Sequence, residues 1–114
     1  MATIIETTDK YVFDLFAEHL PNTFTYHNYE HTKRVWESTE EIVENSKVDA
    51  NEAEILLLAS LLHDTGYIKT REGHEEESVK ISTEFLKSQN VDDAVIKAVN
   101  KCIMATKFDT QPVN

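Results

Sequence analysis

Ile55-Leu56-Leu57-Leu58-Ala59-Ser60-Leu61-Leu62-His63-Asp64-Thr65-Gly66 is the stretch that decides the fold. It is apolar around its whole circumference and then ends on an imidazole and a carboxylate. A helix with no polar face belongs at the centre of a fold, where every side is covered. Asp49, followed by Glu52, offers a capping box before it, and Thr65-Gly66 supplies the stop. Burying His63 and Asp64 without partners would cost on the order of 2–7 kcal/mol each, so the doublet requires a compensating interaction.

Outward from this run, every flanking segment has helical spacing. Thr7-Thr8-Asp9 predicts the start of a first helix, with Val12, Phe13, Leu15, Phe16 and Leu20 inward until Pro21 ends it. A second helix over about 28–46 places His31, Val35, Thr39 and Ile42 on one stripe and Glu37, Glu40, Glu41 and Glu44 on the solvated face. After the polar loop Lys69-Thr70-Arg71-Glu72-Gly73, a fourth begins near His74, with Val79, Ile81, Phe85 and Leu86 buried. A fifth, over about 92–106, turns Val95, Ile96, Val99, Ile103 and Met104 inward. With two Gly and two Pro in 114 residues, breakpoints for a many-turned sheet are scarce, and an all-α fold in one domain, 1–114, is expected.

Charge and composition exclude several classes of function. A formal net charge of −10, from 21 acidic and 11 basic residues, repels a phosphate backbone, and Lys33-Arg34 and Lys69-Thr70-Arg71 are the nearest approach to a basic patch. Duplex nucleic acid is therefore not an expected partner. A small phosphorylated ligand held through a metal stays open, because the metal brings positive charge of its own. The single Cys102 excludes an internal disulfide and reads as a small core side chain. No segment reaches the roughly 18 apolar residues of a membrane span, and the N-terminus lacks a signal peptide's basic start, so the expected location is cytoplasmic.

Imidazole nitrogen and carboxylate oxygen together suit a divalent cation such as Mn, Fe, Ni, Zn or Mg. His31 is the natural third donor, because it too lies on an apolar stripe. The bland alternative for each is a hydrogen-bonded core residue, and the spacing of two His and one Asp alone is a weak signal.

Three stretches then carry a resemblance. Tyr26-His27-Asn28-Tyr29-Glu30-His31-Thr32, Ala59-Ser60-Leu61-Leu62-His63-Asp64-Thr65-Gly66-Tyr67 and His74-Glu75-Glu76-Glu77-Ser78, in that order, resemble the HD superfamily of metal-dependent phosphohydrolases. The likeness spans residues 9–112. More narrowly, it is similar to the N-terminal domain of bacterial proteins in which an HD domain precedes membrane helices, a group associated with nucleotide-signalling defence. The resemblance implies metal ligation by His31, His63 and Asp64, with Asp64 also orienting an activated water. It further implies a catalytic role for His74 and Glu75 at the start of the fourth helix, where a plain helix-dipole role for Glu75 is the alternative. Lys69 and Arg71 are candidates to hold substrate phosphates, and their alternative is a solvated loop. His27, one turn before His31, is expected to fix a ligand ring through a hydrogen bond, the alternative being that it is itself a ligand if the second helix already includes residue 27.

Members of the superfamily complete the site with a further Asp on a later helix, which this sequence does not reach. The expected architecture is thus a compact five-helix HD bundle lacking the final helices, with weakened metal binding and activity in question. The apolar surface so exposed favours a homo-oligomer. Three functions remain: a hydrolase of a nucleotide or other small phosphate ester, a module of the same fold that senses a nucleotide or binds a partner, and a purely structural helical domain.

Overall fold

The computed structural model describes residues 3–70 and 72–109, with the side chains of 22–27 and 107–109 left undescribed. The described residues form α1 (Ile4–His19), α2 (Asn22–Glu44), α3 (Ala50–Leu62), a 3-10 turn (Thr65–Ile68), α4 (His74–Ser88) and α5 (Asp93–Asp109). The fold is all-α, as the sequence predicts.

α3 is the centre. Leu58, Leu61 and Leu62 on it are at most 1% exposed. They meet Val12 and Phe16 of α1, Phe85 and Leu86 of α4, and Ile96, Val99 and Ile103 of α5. Each such side chain, fully removed from water, stabilises the fold by roughly 1.5–3 kcal/mol before entropy is counted. Tyr11 stacks on Phe85 with ring centroids 4.0 Å apart, joining α1 to α4. α2 differs from the other four. It packs on α1 and α3, but its apolar residues Tyr29 and Trp36 are only partly buried against the core.

Two helix starts lie earlier than predicted. α1 is capped by Thr3, whose hydroxyl accepts from the Glu6 N–H at 3.1 Å while Glu6 accepts from the Thr3 N–H at 3.2 Å. That reciprocal box prevails over Thr7-Thr8-Asp9 because the extra turn also packs Ile4 and Ile5 on the core. Asp9, freed from capping, accepts instead from the Tyr29 hydroxyl at 2.8 Å and lies 3.7 Å from Lys33 Nζ, pinning α2 to α1. α2 begins at Asn22 because Pro21, expected to end one helix, also opens the next, where its lack of an N–H costs nothing. α3 starts as predicted, with Asp49 accepting from the Glu52 N–H at 2.8 Å. Just past the end of α4, Asn90 at φ 61° takes a left-handed conformation that lets the Val91 N–H reach the Leu86 carbonyl at 3.1 Å.

Candidate metal centre

The site begins where α3 ends. His63 still has helical backbone angles (φ −62°, ψ −28°), while Asp64 at φ −105°, ψ 7° has left the helix. Successive side chains on a helix diverge by about 100°. The break at Asp64 removes that divergence, and the carboxylate turns back to lie 3.1 Å from His63 Nε2.

Asp64 is then a hub for three imidazoles. His31 Nε2, from α2, stands 3.2 Å from Oδ2, and His74 Nε2, from the first turn of α4, stands 3.3 Å from Oδ1. His74 Nε2 is also 3.3 Å from Glu75 Oε2. His63, Asp64, His74 and Glu75 are all buried, whereas the His31 side chain is 56% exposed. Tyr67 stacks on His74 at 4.0 Å, nearly parallel, and stands at the edge of solvent.

Two residues hold the turn against α4. Ser78 donates its hydroxyl to the His63 carbonyl at 2.7 Å and accepts from the Gly66 N–H at 2.8 Å, so one side chain satisfies two backbone groups that the end of α3 leaves open. Gly66 has no room for a side chain: a Cβ there would lie 1.9 Å from the His74 carbonyl oxygen and 2.8 Å from the Ser78 nitrogen. The missing methyl group lets α4 approach closely enough to bring His74 to Asp64. Gly73, the residue before α4, adopts the left-handed conformation at φ 71°, where an L side chain is strained.

The donor set fits a divalent cation. His63 Nδ1–H donates to the Ser60 carbonyl at 2.7 Å, since a carbonyl can only accept, and this leaves Nε2 as the atom that faces Asp64. A neutral imidazole lone pair 3.1 Å from a carboxylate oxygen is repulsive unless a proton or a cation lies between them. Two states relieve it. In the metal-free state the proton does so: burial disfavours a charged His63, but the Asp64 carboxylate, with Ser60 and Glu75 adding, outweighs it and raises the His63 pKa above the ordinary 6.5. Burial likewise pushes Asp64 upward, but the bond from His63 and the charges of His63, His31 and His74 hold its pKa below the ordinary 3.8. A cation is the second state, because the donor atoms of His31, His63 and Asp64 lie within 4.8 Å of one another.

An open pocket of about 300 Å³ lies over this cluster, lined by Asn28, Glu30, His31, Arg34, Asp64 and Tyr67. Arg34 thus lines the same pocket as Asp64, with its guanidinium paired to Glu30 Oε1 at 2.6 Å. In the sequence Lys33-Arg34 reads only as a small basic pair, and its place at the site is missed. The helical step from His31 to Arg34 is the signal that could have found it, because residues three apart share a face. Lys69 is exposed and does not line this pocket, and Arg71 lies outside the described residues. His27 belongs to α2, but its side chain is outside the described set. Among the described residues no helix is long and apolar enough to cross a membrane.

Neither the curated proteins nor the solved structures compared with the chain gave a match. The family model of the HD domain matches residues 28–103, about two thirds of the chain, and that span contains His31, His63, Asp64, His74 and Glu75. By that match and by the helical arrangement that carries the His-Asp doublet, this chain belongs to the HD domain family.

Proposed function

We propose that this chain is a metal-dependent phosphohydrolase domain of the cytoplasm, acting on a nucleotide or another small phosphate ester. The observation that carries the reading is a buried carboxylate ringed by three imidazole nitrogens at 3.1–3.3 Å, at the floor of a pocket that also contains an arginine.

In this reading His31, His63 and Asp64 hold the cation. When bound, a divalent cation acidifies water toward neutral pH and offsets the charge that gathers on phosphoryl oxygens. The chain's own residues do the rest. Arg34 leaves Glu30 and takes two oxygens of the phosphate, the geometry for which a planar guanidinium is suited. Asp64 orients the attacking water and accepts its proton. The water oxygen forms the new bond to phosphorus as the bond to the leaving oxygen breaks, and that oxygen receives a proton from His74. Glu75 Oε2, 3.3 Å from His74 Nε2, orients that ring, and the stacked Tyr67 fixes its plane. Lys69 and Arg71 remain candidates to reach the distal part of a longer substrate.

The test is turnover of nucleotides, cyclic nucleotides and simple phosphomonoesters with Mn or Ni supplied. The reading requires hydrolysis that disappears in Asp64→Ala. A chain that holds metal and turns over none of these substrates defeats it. One observation favours a second reading, a module that binds a nucleotide without cleaving it: the described residues bring together three clustered donors, one of them exposed. That module predicts a melting temperature raised by nucleotide in proportion to its binding, with no product formed.

A further inference from the structure

His31 lines two pockets. On one side lies the polar pocket with Asp64 and Arg34. On the other lies a second cavity of about 340 Å³ between α2, α3 and α5, with His31 and His63 at one end and Val35, Leu56, Ala59 and Cys102 in its walls. Its volume falls in the range of roughly 300–1,000 Å³ that small-molecule sites occupy. Two of the three clustered residues, His31 and His63, thus border an apolar space as well as the carboxylate, so a molecule held there lies next to the cluster.

The wall offers little to a polar group. Its three hydroxyls each donate to a carbonyl of their own helix: Thr39 to Val35 at 2.8 Å, Ser60 to Leu57 at 2.7 Å and Thr106 to Ile103 at 2.6 Å. Bonded in this way, their protons are committed to the helices, and the wall is left chiefly apolar. The polar pocket suits a phosphate, and this one suits something without hydrogen-bonding demands.

We infer that the cavity between α2, α3 and α5 receives the apolar body of the leaving group, so that the substrate straddles His31 with its phosphate beside Arg34 and a ring or hydrocarbon chain against Val35, Leu56 and Ala59. This inference rests on the phosphohydrolase reading and refines it. The preferred substrate is a phosphate ester of an apolar alcohol, and a nucleobase in the same place is held mainly by its faces, because each wall hydroxyl has already given its proton to its own helix.

Cys102 is the single cysteine of the chain and is half-buried in this wall, which makes it a reporter. Phenylphosphonate, methylphosphonate and inorganic phosphate, each with and without Mn, serve as probes of the full chain. With Mn present, phenylphosphonate binds at least about tenfold tighter than methylphosphonate, the scale expected from burying a ring. It also slows alkylation of Cys102, which inorganic phosphate does not. Thr39→Phe, on the half-buried side of α2, and Ala59→Leu both fill the cavity and remove the aryl preference; the first avoids the packed centre of α3, and circular dichroism verifies that each folds.

Equal binding of the two phosphonates in the presence of bound Mn overturns the inference and leaves the phosphohydrolase reading intact. Failure of every phosphonate and phosphate to bind the metal-loaded chain overturns that reading itself. Protection of Cys102 by phenylphosphonate without Mn as strong as with it overturns the link between cavity and phosphate. Protection of Cys102 that grows with protein concentration alone, together with a dimer mass, assigns the cavity to a second copy and overturns it as well.

Discussion

The two sides of the Asp64 cluster are built to different standards. On the α3–α4 side His63, Asp64, His74, Glu75, Gly66 and Ser78 are all buried, and the turn that carries them is fixed by two bonds to one serine and by a steric fit that excludes a Cβ. On the α2 side His31 is 56% exposed, Arg34 is held by a surface partner, and the helix packs on its neighbours with partly buried residues. One side is a rigid anvil whose groups are already placed. The other presents its site residues from exposed positions. Stability and binding should therefore separate by side: changes on the rigid side cost folding first, and changes on the α2 side cost binding first.

The largest effect expected is on the rigid side. Gly66→Ala requires the first turn of α4 to move off the turn at Asp64, and should destabilise the chain by about 3 kcal/mol, the upper end of what steric misfits in packed cores cost. Gly73→Ala meets no close backbone and carries only the cost of a left-handed L residue, about 1 kcal/mol. Chemical denaturation of the pair checks the order, and equal losses would show that α4 is not seated on Gly66.

Ser78→Ala comes next. It removes the donor to His63 and the acceptor for Gly66 in one buried place, a loss of roughly 2–3 kcal/mol. Because the His63 carbonyl is then unsatisfied, the metal site should loosen together with the fold. A variant that melts normally would break the comparison.

The pH dependence of the metal-free chain follows from the two shifts. The raised His63 gives stability that is complete below 6.5 and is lost as pH rises through its higher folded value. The lowered Asp64 gives stability that is present above 3.8 and is lost as pH falls through its depressed folded value. Melting in the presence of a chelator should accordingly be best between these limits and fall on both sides. A melting temperature that climbs steadily from pH 6 to about 9 would contradict the proton-bridged His63–Asp64 pair.

On the α2 side the smallest cost to folding is expected. Arg34→Ala removes an exposed ion pair with Glu30 worth about 0–1 kcal/mol, so the melting temperature hardly moves. Phosphate affinity of the metal-loaded chain should nonetheless fall about tenfold or more, because a charge-assisted contact is lost. Affinity unchanged by Arg34→Ala would remove the arginine from the proposed function.

These differences also explain what is legible in the sequence. The fold is legible because α3 is apolar all round and its neighbours keep a helical period, and His63-Asp64 is legible because two polar groups at the end of such a run demand a reason. The starts of α1 and α2 are not, since Thr3 and Thr7-Thr8-Asp9 are equally good caps locally, and the choice between them is made by packing of Ile4 and Ile5. The role of Asp9 as a partner of Tyr29 and Lys33 is hidden for the same reason. That contact protects the Tyr29 phenol: burial first, then the bond to Asp9 and its charge, push its pKa up to about 12. The pocket over Asp64 combines residues from α2 with the turn after α3, a juxtaposition that no periodicity within one helix encodes. The loop candidates Lys69 and Arg71 are attractive as a basic pair near the doublet, whereas Arg34 owes its place to the way α2 crosses α3.

The central claim is that His31, His63 and Asp64 share one cation, with the first supplied from an exposed position on α2 and the other two by the buried turn after α3. Elemental analysis of the purified chain after loading with Mn and removal of excess tests it directly, alongside His31→Ala. The account predicts about one ion per chain, and loss of that ion in His31→Ala with the metal-free melting temperature preserved, since an exposed ring contributes little to folding. An ion retained in full by His31→Ala, or no ion in the unaltered chain at a saturating concentration, would contradict it.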